Sequence, residues 1–320
     1  MPVLISVDIK DRGLGALLGL AVGDALGTTL EFKSPGTFEP ISDMMGGGPF
    51  GLKPGQWTDD TSMALCLAAS LIESEGFDAT DQMQRYCRWW HEGYLSSTGT
   101  CFDIGNTVLG ALFKFEQTGD PMAGSVDPQT AGNGSLMRLA PIPLFYANSP
   151  SAAIERAAQM SRTTHGADEA VDACRYYTGL IVGALNGQSK DALCGSYWHP
   201  SKDFWDPADL ASKVAEVAGG SFKRKPAGSI RGTGYVVDAI EAALWAFWST
   251  TNFRDGALAA VNLGDDADTT GAIYGQLAGA HYGCAGIPLE WVERLHACEH
   301  LTELAERLLV AGEMHRSLSL

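Results

Sequence analysis

The sequence predicts an all-α protein, and three observations carry that prediction. Alternation of apolar and polar residues with period two, the mark of a half-buried strand, is almost absent. Apolar runs of helical length recur along the chain, joined by short polar or Gly/Pro-rich connections. Two of these runs carry glycine at every fourth position: Gly15, Gly19, Gly23 and Gly27 in one, Gly271, Gly275, Gly279 and Gly283 in the other. On a helix of ~3.6 residues per turn this spacing leaves a stripe without side chains that drifts slowly round the axis. Each glycine costs ~1 kcal/mol of helix propensity relative to alanine. Four in one helix imply a gain elsewhere, most simply the close approach of a second helix. The chain therefore reads as one compact orthogonal helical domain, residues 1–320 with a core of about 12–311, built on two central helices.

The elements follow in order. Residues 14–26 form the first central helix, apolar except for Asp24, and lead to Glu31. Residues 32–57, with Gly46-Gly47-Gly48-Pro49, predict a long loop of the kind that is often functional. Thr58-Asp59-Asp60-Thr61 opens a helix over 63–74, with Gly76 as its stop. Helices follow at 82–90 and, after a polar turn at 96–103, at 104–115. Residues 119–129 are loop, and Gly132-Asn133-Gly134-Ser135 precedes Leu136-Met137-Arg138. Residues 152–160 and 167–185 are helical, with Thr164-His165 between them. Residues 186–206 are irregular and aromatic. Helices at 210–217, 235–248, 255–261, from 272 onward, 289–298 and 301–310 complete the chain. No period of 20–50 residues marks a solenoid.

Composition bounds the function. A net charge of −16 predicts a surface that repels nucleic acid and anionic membranes. The one basic run, Lys223-Arg224-Lys225, reads as a solvated loop. Seven scattered cysteines without C-x-x-C spacing argue against a disulfide framework or a thiolate metal site, and for a reducing cytoplasm. The N-terminus lacks the pattern of a signal peptide, and no apolar run reaches the length of a membrane span. The expectation is a cytoplasmic monomer.

The chemistry concentrates in Gly264-Asp265-Asp266-Ala267-Asp268-Thr269-Thr270-Gly271 and in Thr58-Asp59-Asp60-Thr61, both at helix starts. Carboxylates this dense repel one another unless a cation sits among them. Ligands that are all oxygen suit a hard ion, Mg²⁺ or Mn²⁺. Either cluster alone would more simply be a helix N-cap, since Asp and Thr are favoured there. Together with the glycine stripes, the two predict one site.

Five stretches stand together: Gly23-Asp24-Ala25-Leu26-Gly27 with Glu31, Thr58-Asp59-Asp60-Thr61, Gly132-Asn133-Gly134-Ser135-Leu136-Met137-Arg138, Thr164-His165, and Asp266-Ala267-Asp268-Thr269. Read together, they resemble the ADP-ribosylglycohydrolase family. They occur in the family's order and cover nearly the whole chain. Cys101-Phe102-Asp103-Ile104-Gly105-Asn106 is most similar to the bacterial branch that includes dinitrogenase reductase-activating glycohydrolase. That branch removes ADP-ribose from arginine side chains of proteins. The resemblance implies an all-α fold with a central site for two divalent metal ions, Mg²⁺ or Mn²⁺. It implies an ADP-ribosylated protein as substrate and ADP-ribose as product.

Carried over by position, Thr58, Asp59, Asp60, Asp266, Asp268 and Thr269 match the family's metal ligands. Glu31 matches the acidic residue beside the metals, and Asp103 the one near the ribose–arginine linkage. Asn106, Gly134, Ser135, His165 and Tyr235 match substrate-binding positions. Asp265 stands where many members have glycine, and its role is open. Physically, a carboxylate such as Glu31 can position water or take its proton. Asp103 can pair with the permanently cationic guanidinium. Backbone N–H groups of Gly134 and Ser135 can meet a pyrophosphate.

Simpler readings stand beside these. Asp24 more simply hydrogen-bonds a neighbouring backbone group than ligates a metal. Asp103 is equally an N-cap of the helix that follows. Arg138 is a structural ion-pair partner, and Tyr235 and His165 are core residues. For function, the alternatives are another ADP-ribose linkage, such as serine–ADP-ribose or O-acetyl-ADP-ribose, or a non-catalytic ADP-ribose-binding or immunity protein of the same fold. A Ser–His–Asp hydrolase is disfavoured, because no G-x-S-x-G elbow is present.

Overall fold

A computed structural model describes residues 7–200 and 209–318. Among these residues there are fifteen α-helices and no strand. The helices are α1 (Val7–Gly27), α2 (Asp59–Glu73), α3 (Ala79–Glu92), α4 (Asn106–Thr118), α5 (Pro141–Phe145), α6 (Pro150–Thr164), α7 (Asp168–Leu185) and α8 (Lys190–Leu193). They continue as α9 (Ser212–Ala218), α10 (Ser221–Arg224), α11 (Val236–Ser249), α12 (Phe253–Val261), α13 (Ala267–Tyr282), α14 (Leu289–Arg294) and α15 (Cys298–Leu318). The all-α expectation is met. Among the described residues no helix is long and apolar enough to cross a membrane.

α1 and α13 are the two central helices, antiparallel and in backbone contact along their glycine stripes. A Cβ on Gly15, Gly19 or Gly23 would stand 2.3, 2.4 or 2.0 Å from the carbonyl oxygen of Gly279, Gly275 or Gly271. The reverse holds as well, with Gly275 and Gly279 each 1.9 Å from a facing carbonyl of α1. No residue with a side chain fits at these crossings, which is why a helix accepts four glycines. α7, buried along most of its length, packs beside α13, and Tyr177 donates a hydrogen bond to the Ile273 carbonyl at 2.6 Å. Gln276 on α13 donates to the carbonyls of Leu136 and Met137 at 3.1 and 2.9 Å, tying the Gly132–Arg138 segment to the central pair.

Several boundaries differ from expectation, each for a local reason. α2 and α13 begin four or five residues earlier, so both acidic clusters lie within first turns. The predicted helix 289–298 breaks after Arg294. There the chain turns through Ala297 at φ 48°, and His296 N–H donates to the Gly55 carbonyl at 2.9 Å, docking the 32–57 loop. Lys190–Leu193 forms a single helical turn in a stretch read as irregular, and Pro141–Phe145 forms another where no element was assigned. The irregular reading over residues 201–206 lies outside the described residues.

Candidate active site

Thr58 and Asp266 occupy the N-cap positions of α2 and α13, yet neither side chain caps its helix. The capping reading of the two clusters therefore fails where it was strongest. For α2 the cap comes from α1 instead. One oxygen of Asp24 accepts from Thr58 N–H at 2.9 Å and Thr58 Oγ1 at 3.0 Å; the other accepts from Thr61 N–H at 3.0 Å and Thr61 Oγ1 at 2.6 Å. Asp24 thus holds the start of α2 through four hydrogen bonds.

The first turns of α2 and α13 face each other across more than two hundred residues of sequence. Thr58 Oγ1 reaches Asp268 Oδ2 at 3.2 Å, and Thr269 Oγ1 donates to Asp60 Oδ1 at 3.2 Å. Two further carboxylates close over them. Glu31, just after α1, and Asp103, just before α4, each bring an oxygen within 4.8 Å of Asp268 and of one another. Asp24, Asp60 and Asp268 form a second such group, sharing Asp268. Asp103 is no cap: α4 starts at Asn106 with Gly105 at the N-cap, and Asp103 sits outside it at φ 60°.

A cleft of about 670 Å³ opens above this floor. Glu31, Asp59, Asp103, Asn106, Gly134, His165, Asp266, Asp268 and Thr269 line it. Thr58 and Asp60 lie beneath, fully buried. Two expected residues stand apart from the lining. Ser135 is fully buried, and its hydroxyl bonds Ser161 Oγ at 2.9 Å. Tyr235 directs its hydroxyl to Glu169 at 2.5 Å and takes a bond from Lys213 at 3.0 Å. The backbone N–H groups of Gly134 and Ser135 find no acceptor among the described residues.

Three lining residues, Phe32, Asp103 and Asp265, have φ of 61°, 60° and 54°, a conformation that L side chains adopt at some cost. Neighbours hold two of them in place. Phe32 N–H donates to the Asp265 carbonyl at 2.7 Å, and Asp265 N–H donates to the Lys33 carbonyl at 2.8 Å. The Asp265 carboxylate pairs with Arg231 at 2.6 Å, tying that side chain to the start of α13, while its backbone holds the 32–33 corner. Phe32, two-thirds exposed, continues through Phe50 to Phe102 as an aromatic rim, with ring centroids 6.5 and 5.0 Å apart.

The electrostatics are those of crowded, buried acids. Burial, then Asp103 and Asp266, push Glu31 up to about 10. Burial, then Asp266, lifts Asp103 to about 7. Burial raises Asp24 to about 6, its four hydrogen bonds opposing the shift. Asp59, Asp60 and Asp268 rise well above the ordinary carboxylate range, first through burial and then through a neighbouring acid, Asp103, Asp24 and Glu31 respectively. No ion pair among the described residues reaches any of these acids; Arg231 reaches only Asp265. Glu31 Oε2, Asp60 Oδ2 and Asp268 Oδ1 are buried with no hydrogen-bond partner. Orphaned acceptors in two oxygen-only groups that share Asp268 fit a hard divalent cation, whose charge would reverse every one of these upward shifts.

Sequence reasoning missed Asn133, whose Nδ2 donates to Asp266 Oδ2 at 2.7 Å and holds that carboxylate towards the cleft. It also missed the reason for the Gly-Asn-Gly pattern. A Cβ on Gly134 would fall 2.8 Å from His165 Cε1, so the glycine leaves room for the imidazole. Thr233 and Gly234, also in the lining, sit in a stretch with no sequence signal beyond its small residues.

Comparison with known proteins decides the lineage. The profile described as ADP-ribosylglycohydrolase matches residues 6–317. The chain belongs to the ADP-ribosylglycohydrolase family. The ADP-ribosylarginine hydrolase Tri1 of Pseudomonas putida (strain GB-1) is 46% identical over 93% of this chain and 78% of its own length. The ADP-ribosyl-[dinitrogen reductase] glycohydrolase of Rhodospirillum rubrum is 32% identical over 90% of this chain and 91% of its own. A solved structure titled "ADP-ribosylglycohydrolase-related protein complex" superposes with a TM-score of 0.83 at 46% identity, covering 94% of this chain and 98% of that one. All five stretches that carried the resemblance lie inside the matched region.

Proposed function

We propose that this chain is a metal-dependent hydrolase that removes ADP-ribose from ADP-ribosylated arginine side chains of proteins. The observation that carries the proposal is the convergence of Glu31, Asp60, Asp103 and Asp268 at the floor of one cleft, with orphaned oxygens and no basic partner. Relatives named ADP-ribosylarginine hydrolase support arginine as the linkage.

Thr58, Asp59, Asp60, Asp266, Asp268 and Thr269 would hold two divalent ions, Mg²⁺ or Mn²⁺. When bound, such ions supply positive charge that polarises substrate oxygens and eases ionisation of water. The remaining steps belong to the protein. Glu31, buried and facing Asp103 and Asp268, is placed to position the attacking water and receive its proton. Asp103, the least buried of the group, pairs with the guanidinium of the linkage. When the C–N bond breaks the nitrogen keeps the pair and leaves as a guanidine, which takes up the proton that Glu31 received from the water. The free N–H group of Gly134 donates to the pyrophosphate. Ser135, fully buried with its hydroxyl on Ser161, supports that turn from below the cleft. His165 and Asn106 border the same space. Tyr235 has its hydroxyl committed to Glu169 and stands apart from the cleft lining.

The test is incubation with arginine- and serine-ADP-ribosylated peptides in Mg²⁺, Mn²⁺ or EDTA. Release of ADP-ribose from the arginine peptide with metal, and none in EDTA, is expected. Preferential release from the serine peptide would move the chain to another linkage, and binding without release would make it a non-catalytic member.

A further inference from the structure

Arg138 is fully buried, and no carboxylate among the described residues pairs with it. The ion-pair reading of this residue is therefore replaced by another set of partners. Its Nη1 donates to the Gly134 carbonyl at 2.8 Å and lies 3.8 Å from Met63 Sδ. Its Nη2 donates to Thr164 Oγ1 at 2.6 Å, and its Cζ stands 4.7 Å over the Tyr86 ring.

A guanidinium only donates. Thr164 Oγ1 accepts from Arg138, so its own single proton needs an acceptor. The acceptor beside it is Nδ1 of His165, at 2.8 Å. Nδ1 therefore receives that proton's hydrogen bond, and the ring carries its own proton on Nε2. With the proton on Nδ1 instead, Thr164 Oγ1 would face two donors, and a buried hydroxyl proton would have nowhere to go. A doubly protonated ring would meet the same conflict beside a second cation. Burial and Arg138 together hold His165 down near 3, so it stays neutral. Nε2 belongs to the edge of the ring that occupies the space beside Gly132 and Gly134, 3.4 and 3.1 Å from where their Cβ atoms would be. The ring lines the cleft.

We propose that Arg138, acting through Thr164, is a positioning residue that holds His165 as a neutral imidazole with its proton on Nε2, a donor towards oxygen atoms of bound ADP-ribose. The identity of the acceptor rests on the function proposed above; the tautomer does not. His165 is then a fixed donor, never a base and never a metal ligand. The buried charge has a task that a carboxylate partner would defeat, because a carboxylate would draw the guanidinium away from Thr164.

Long-range ¹H–¹⁵N correlation spectra of histidine-labelled protein read the tautomer directly, with His165→Gln assigning the signal. The wild type should show His165 as the Nε2–H form throughout pH 5–8. Thr164→Ser keeps the hydroxyl and should keep that signature. Thr164→Val keeps the shape without the hydroxyl; it should mix the tautomers and weaken ADP-ribose binding by about tenfold, the loss of one hydrogen bond to a charged group. In this variant KM should rise more than kcat falls. An Nδ1–H signature in the wild type would overturn the relay. So would a Thr164→Val protein with an unmixed Nε2–H signal and wild-type ADP-ribose affinity. If the tautomer behaves as expected while arginine–ADP-ribose is not cleaved, the relay stands and the proposed reaction falls.

Discussion

Gly23→Ala tests the link between the glycine stripe and the site. The new Cβ would stand 2.0 Å from the Gly271 carbonyl oxygen, 2.3 Å from its carbon and 2.8 Å from Ala272 N. All three are backbone atoms inside α13, so no side chain can swing away. Carbon and oxygen settle at roughly 3.5 Å or slightly less, so α1 and α13 must part by about 1 Å or more. Overpacking of this kind costs ~1–3 kcal/mol, and alanine's better helix propensity returns ~1 kcal/mol of it. A backbone-on-backbone clash belongs at the upper end, leaving a net loss of about 2 kcal/mol, or roughly 4 °C in Tm for a chain of this size. The larger effect is on the site. Gly23 adjoins Asp24, which holds α2, and Gly271 closely follows Asp268 and Thr269. Metal coordination tolerates errors of only ~0.2 Å. Thermal unfolding in EDTA and calorimetric titration with Mn²⁺ should therefore show a modest loss of stability and a large loss of affinity. Gly110→Ala is the control: Gly110 lies within α4 with open space around it, so alanine should add stability. Wild-type Tm and Mn²⁺ affinity in Gly23→Ala would refute the idea that close backbone contact at this crossing builds the site.

Three further outcomes follow from the geometry. Asp103→Asn should lower the rate of arginine–ADP-ribose hydrolysis by on the order of a hundredfold and leave ADP-ribose affinity nearly unchanged; steady-state kinetics at the wild-type rate would remove Asp103 from the reaction. Asp268→Ala should abolish Mn²⁺ binding and turnover yet raise Tm in EDTA, because it removes one of several mutually repelling buried acids; a lower Tm in EDTA would count against that repulsion. His165, at about 3 in the fold against an ordinary 6.5, binds its proton more readily when unfolded. Its contribution to stability is therefore complete above pH 6.5 and lost as pH falls towards 3, at ~1.4 kcal/mol per pH unit within that window. Urea unfolding at pH 5 and 7 should show His165→Gln with the shallower pH dependence, and equal slopes would contradict the burial argument.

Much of this molecule was legible in its sequence. Glycine at every fourth position predicts intimate helix contact, because nothing else offsets its helix cost, and α1 and α13 meet at those glycines. Thr58–Thr61 and Asp266–Thr269 announced themselves as acids too dense to sit alone, and their order along the chain matched a family. Helix existence was readable from apolar runs. Helix ends were less so, since the break after Arg294 depends on Gly55 of a distant loop.

Other features exist only in three dimensions, because they depend on what lies across a gap in sequence. Nothing local shows that Asp24 caps a foreign helix; the four donors of Thr58 and Thr61 do. Asp103 loses its capping role because α4 begins three residues later. Ser135 shares a motif with Gly134 and Tyr235 follows Thr233 and Gly234 of the lining, but their hydroxyls turn to Ser161 and Glu169. Arg138 looks like half of a salt bridge until Thr164 and Gly134 are seen to take its protons. Residue types and their spacing along the chain set which chemistry is available. Which partner satisfies each buried donor and acceptor is settled by packing, since a buried polar group bonds to whatever the fold places within 3 Å or so.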